Sequence, residues 1–159
     1  MPLDGSDYAK GALLPAAYLA AALAEGQGTL HLTQVVRPVT GSKIPARKTL
    51  NGFETQTDMQ RARQYLDKTV EEILNGSLAP AINDLHLELT TSVALEEDVA
   101  NAIIRVAENR EDAEGASVSG RCDAIAMSTH GLGGKHHFQL SLPSLTLPDK
   151  RCQGASCIL

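Results

Sequence analysis

The sequence predicts an α/β domain: a doubly wound, mostly parallel sheet with helices on both faces. Three observations lead there. Segments with strand character take turns along the chain with segments of helical spacing, the pattern of parallel strands joined by crossover helices. The run Ala124 to Met127 is apolar throughout, as a strand buried on both faces must be, and it opens into a loop with Gly131, Gly133 and Gly134. Hydrophobic residues make up 43% of the chain but aromatics only 3%, so the core must be built from Leu, Ile, Val and Ala. At 159 residues the chain reads as one domain, since domains run to roughly 100–200 residues.

Each element has its own signal. Ser6 is a good N-cap, and the Ala- and Leu-rich run from Asp7 to about Glu25 predicts a single helix stopped by Gly26 and Gly28. Thr29 to Val36 alternates and is rich in β-formers, so it predicts a strand. Pro38 to Phe53, with Pro, Gly, Ser and basic residues, predicts a surface loop. From about Thr55 to Asn75 a helix is expected, with Met59, Ala62, Tyr65, Leu66, Val70, Ile73 and Leu74 inward and Gly76 as its stop. Leu85 to Ser92 alternates as a strand. Glu96 to about Glu108 predicts a helix with Val99, Ile103, Val106 and Ala107 inward, and Glu96, Glu97 and Asp98 complementing its dipole. Asn109 to Gly120 is a long polar connection, followed by the strand at Ala124 to Met127. Beyond Ser141, Pro143 and Pro148 interrupt the place where the alternation demands a helix, and Ala155 to Leu159 suits a last short strand.

Charge and cysteine content exclude several classes. A net charge of −5 argues against a nucleic-acid-binding face. Cys122, Cys152 and Cys157 form an odd, unpatterned set that suits a reducing compartment, so a cytoplasmic location is expected. The apolar stretch Gly11 to Ala24 imitates a signal-peptide core, but Asp4 and Asp7 outweigh Lys10 before it, and it is too short to span a bilayer. No membrane partner is expected.

The chemistry concentrates in DAIAMSTHGLGG, residues 123 to 134. A buried strand opening into glycines leaves bare backbone N–H groups at the carboxyl end of a sheet, where α/β folds bind phosphate. A Walker A loop ending at Gly134 and Lys135 would need glycine at Thr129 and a hydroxyl at His136. The dinucleotide fingerprint fits Gly131 and Gly133 and then meets His136. Asp4 suits either a ribose or adenine contact or the capping of the first helix. His130 suits phosphate or its own loop backbone, and Lys135, His136 and His137 suit either a polyphosphate or a solvated turn. No carboxylate or cysteine joins the histidines at metal-ligand spacing, and no serine stands in a nucleophile elbow. No catalytic constellation is present in the sequence.

The wording of this loop closely resembles the signature of the universal stress protein family. PLDGSDYAKGALLPAAYLA resembles that family's first strand and helix, LHLTQVV its second strand, RARQYLDKTVEEI its second helix, and VALEEDVANAIIRVAE the segment before the signature strand. The resemblance implies an adenine-nucleotide-alpha-hydrolase-like, Rossmann-like fold that binds ATP or AMP as a homodimeric module of stress response or signalling, at most a weak ATPase. It implies a nucleotide site drawn from Pro2, Leu3, Asp4, Val35, Met127, Ser128, His130, Gly131, Gly133, Gly134 and Ser141. ATP-binding members carry a loop G-x2-G-x9-G-(S/T). Here its glycine positions fall on Ser128, Gly131 and Ser141, and its hydroxyl position on Leu142. Ser141 brings a Cβ where backbone should approach phosphate, and Leu142 removes a hydroxyl ligand. These departures leave a second expectation open: a dimeric interaction domain that keeps the fold and has lost the phosphate loop. The first strand is largely missing, and residues 141 to 159 diverge from the family, as disordered or frame-shifted sequence would. In the family the final strand pairs with its twin across a dimer axis, a role that would fall here to Ala155 to Leu159.

Overall fold

One nearly buried strand organises the chain. In the computed structural model, which describes residues 1–24, 27–38, 45–108, 113–114, 122–128, 138–141 and 157–158, strand β1 spans Thr29–Val36 as the sequence predicts. Thr29 to Thr33 and Val36 are all buried, so β1 is covered on both faces rather than half-exposed.

The expected first helix is broken in two. Helix α1 covers Asp7–Lys10, with the Ser6 hydroxyl accepting from the Ala9 N–H, and α2 covers Leu13–Leu23. Pro15 explains the break. A proline ring clashes with the carbonyl four residues earlier, here Gly11, whereas in the first turn of a new helix its missing N–H is no loss. At the far end Gly28 lets the chain turn tightly, because a Cβ there would lie 2.9 Å from both the Ala20 carbonyl and Leu87 Cδ2.

The loop expected at Pro38 to Phe53 is helical from Pro45 onward: α3 runs Pro45–Leu74. Pro45 supplies the preset φ of a helix start, and Ala46, Arg47 and Lys48 are strong helix formers whose signal was masked by neighbouring Pro and Gly. Ala62, Leu66, Thr69 and Ile73 form its buried stripe, while Leu74, expected inward, is 64% exposed. Gly76 (φ +74°) turns the chain out of the helix in the left-handed region that glycine tolerates. A short 3-10 helix, Pro80–Leu85, follows. It displaces the second strand, expected at Leu85 to Ser92, to β2, Glu88–Leu95. Helix α4, Val99–Ala107, begins later than expected because Asp98 is its N-cap, accepting from the Asn101 N–H at 3.1 Å, so Glu96 and Glu97 precede the helix.

The architecture is mixed α/β. β1 and β2 pair in parallel along their whole length, Thr29 with Glu88 through Val36 with Leu95. Cys157–Ile158, strand β6, lies parallel to the start of β1, within the segment expected as a final strand. The polar connection after α4 contributes β3, Ala113–Glu114, antiparallel to β2. Leu30, Leu32 and Val36 join one core cluster with residues of α2 and α3. Val35 and Ala94 join a second with Ala102, Ile103 and Val106 of α4, on the opposite face of β1.

The strand expected at Ala124 to Met127 forms at Ile125–Ser128 (β4), with Ala124 and Ala126 fully buried. It is not the central member of a parallel sheet. β4 pairs antiparallel with β5, Phe138–Ser141, as a separate two-stranded ladder. Met1 to Leu3 runs beside the end of β1, bridged in parallel at Pro2 and Thr33, with Thr33 N–H donating to Met1 O and Leu3 N–H donating to Thr33 O.

Candidate functional site

The carboxyl ends of β1 and β4, the start of α4 and the N-terminal segment converge on a cavity of about 280 Å³. Its walls are Pro2, Leu3, Asp4, Ala9, Val35, Val99, Ile103, Met127 and Ser128. Each wall has a local cause. Val35 points away from the α2 and α3 cluster because its neighbour Val36 points into it. Val99 and Ile103, four apart, occupy one face of α4, whose start is fixed by the Asp98 cap. Met127 and Ser128 end β4.

Among the described residues, Asp4 is the charged group that lines the cavity. Its Oδ1 accepts from the Ser6 N–H at 2.9 Å and from the Ser6 hydroxyl at 2.5 Å, while Ser6 Oγ accepts from the Ala9 N–H at 3.3 Å. Asp4 thus fixes the start of α1 and still presents an exposed carboxylate. Gly5 (φ +86°) makes the turn between them, against the Gln34 side chain, whose buried Oε1 has no hydrogen-bond partner among the described residues. A wider groove adjoins the cavity through Val99 and Ile103, and Arg37, Glu97, Asp98 and Ala100 complete it.

Of the eleven residues singled out in the sequence, Pro2, Leu3, Asp4, Val35, Met127 and Ser128 line this one cavity. Ser141 is not with them: it pairs with Ile125, three residues before Ser128, at the opposite end of β4. His130, Gly131, Gly133 and Gly134 lie outside the described residues. Sequence reasoning missed Ala9, Val99 and Ile103 as cavity walls. Their helical spacing marked them only as core.

It also missed a buried polar row on the sheet. His31 is fully buried; its Nδ1 lies 2.8 Å from Thr90 Oγ1 and its Nε2 2.8 Å from Ser92 Oγ. Ser92 Oγ also lies 3.0 Å from Thr33 Oγ1, so Thr90, His31, Ser92 and Thr33 form one hydrogen-bonded row. Burial, then the positive chain terminus, pushes the imidazole down to about 4. The signal was available: Thr29, His31 and Thr33 share one face with Glu88, Thr90 and Ser92 once the strands pair in register.

Beside α1, Lys10 bonds Glu72 Oε2 at 2.8 Å and sits 5.3 Å from the centre of the Tyr65 ring, whose hydroxyl donates to Ser6 O. Burial, then the Asp4 charge, pushes the Tyr65 phenol up to about 12, and the Lys10 bond holds Glu72 below the usual carboxylate range. This cluster ties the Asp4 turn to α3. Among the described residues no three His, Cys, Asp or Glu side chains gather as a metal would need, and no helix is long and apolar enough to cross a membrane.

No family model matches the chain, and no curated protein and no solved structure matches it either.

Proposed function

We propose that the cavity holds the adenosine part of an adenine nucleotide, in a doubly wound, universal-stress-protein-like module of stress response or signalling. One observation carries the reading: six residues named on the resemblance, scattered from Pro2 to Ser128, line a single cavity at the carboxyl ends of β1 and β4. Ligands of α/β folds bind at that end of the strands. The walls Val35, Val99, Ile103 and Met127 suit the faces of a purine, and Asp4 suits the ribose hydroxyls as acceptor. At about 280 Å³ the cavity is close to the lower bound of ~300 Å³ for small-molecule sites, the scale of a nucleoside with its phosphates outside.

Calorimetric titration with adenosine, AMP, ATP and GTP tests this. Adenosine and AMP should bind with similar affinity, GTP more weakly, and Ile103→Trp, which fills the cavity, should abolish binding. A chain that binds none of the adenine compounds at millimolar concentration overturns the proposal. The pairing of Ser141 with Ile125, away from the end of β4, favours a second reading: a homodimeric interaction domain without a phosphate loop. A stable dimer that ignores every nucleotide supports it. On either reading the module performs no catalysis beyond a weak ATPase, in the cytoplasm.

A further inference from the structure

The cavity continues past its own walls. Val99 and Ile103 also line the wider groove, so one trench runs from Asp4, which lines only the cavity, past these two side chains to Arg37 and Glu97, which line only the groove. Backbone holds the far end in place. The Glu96 N–H donates to Val36 O at 3.1 Å, tying the exit of β1 to the approach of α4, and Arg37 and Glu97 each stand one residue beyond that bond. The neighbouring acids are engaged: Asp98 caps α4, and Glu96 lies 3.5 Å from Arg105. Arg37 and the Glu97 carboxylate are not. Among the described residues neither forms an ion pair or a side-chain hydrogen bond, although they carry opposite charges in one groove.

We propose that Arg37 and Glu97 read the hydrogen-bonding edge of the purine and make the site select adenine. This inference rests on the adenosine reading of the cavity. With the ribose at Asp4 and the ring faces against Val99 and Ile103, the edge of the base farthest from the sugar is the part that enters the groove. In adenine that edge offers an acceptor, N1, beside a donor, the N6 amino group. A guanidinium only donates and a carboxylate only accepts, so Arg37 meets N1 and Glu97 meets the amino group. Guanine sets a carbonyl where adenine has the amino group, and an N–H where adenine has N1. It therefore turns an acceptor to Glu97 and a donor to Arg37. Mismatched polar groups discriminate between ligands more strongly than apolar contact does. The apolar walls hold any purine, and the charged pair chooses among them.

The test is calorimetric titration with adenosine and two analogues, purine riboside, which lacks the amino group, and 1-deazaadenosine, which lacks N1. The natural chain is compared with Glu97→Ala and Arg37→Ala; both side chains are exposed, so neither change should disturb the fold. Glu97→Ala should weaken adenosine about tenfold and leave purine riboside unchanged, and Arg37→Ala should weaken adenosine about tenfold and leave 1-deazaadenosine unchanged. AMP should follow adenosine in both variants. A loss in Arg37→Ala confined to AMP, with adenosine unmoved, would assign Arg37 to the phosphate and overturn the proposal. Losses as large for the analogues as for adenosine would overturn it too, since no edge is then being read. If adenosine binds, is blocked by Ile103→Trp and yet binds both variants as tightly as the natural chain, the edge assignment alone fails. A chain that binds no adenine compound removes the cavity reading and this one together.

Discussion

Acid should weaken this protein through His31. The imidazole is fully buried in the sheet, and its folded value of about 4 lies below its ordinary 6.5. Between those values the unfolded chain binds a proton that the folded chain refuses, so unfolding free energy falls as the pH drops through that window. Above pH 6.5 both forms are neutral and the contribution is nil. Below about 4 the full gap applies, about 2.5 units at ~1.4 kcal/mol each, or ~3 kcal/mol. Carboxylates also titrate near the lower end, so the clean measurement is a difference. Urea unfolding from pH 7.5 to 5 should be compared between the natural chain and His31→Gln, which keeps hydrogen-bonding capacity without titrating. The natural chain should lose ~2 kcal/mol more than the variant across that range. Parallel stability curves would refute the argument, because they would mean that His31 takes its proton equally well in both states.

Further outcomes follow from packing and capping. Gly28→Ala places a methyl 2.9 Å from the Ala20 carbonyl and should cost ~1–3 kcal/mol in chemical denaturation, since that neighbour is backbone. Leu66→Ala, at 1% exposure in the stripe of α3, should cost ~2–5 kcal/mol and lower the melting temperature accordingly. Asp98→Ala removes the cap of α4 at a cost of ~1 kcal/mol. Because that helix carries Val99 and Ile103, the same variant should also weaken any ligand of the cavity, measured by calorimetry.

What could be read from the sequence was set by how local its cause is. β1 was legible to the residue because β-formers fill Thr29 to Val36 and glycines precede it. The inner stripe of α3 was legible for its 3.6-residue spacing. The start of that helix was not, because Pro45 and Gly52 read as loop signals although Pro45 also suits a helix start and Ala46, Arg47 and Lys48 favour helix. The break in the first helix had a local signal in Pro15 that went unread. The antiparallel partner of β4 had none, since the pairing of residues 125–128 with 138–141 is a long-range choice that local composition does not specify. For the cavity, six residues were named on resemblance, while Ala9, Val99 and Ile103 belong to helices whose docking angle no spacing encodes.

The cavity has a kinetic consequence. Its walls come from five separate stretches, at residues 2–4, 9, 35, 99–103 and 127–128, so no fragment of the chain contains it. The parallel ladder beside it joins residues 59 apart, from Thr29 with Glu88 onward, and such long closures are slow because entropy is lost before contacts reward it. A molecule that fits this space therefore meets it only after the rest of the chain has assembled. It cannot template folding. It acts by holding the finished state, adding RT ln(1 + [L]/Kd) to stability, and a chain nicked or truncated in any of the five stretches forfeits that gain entirely.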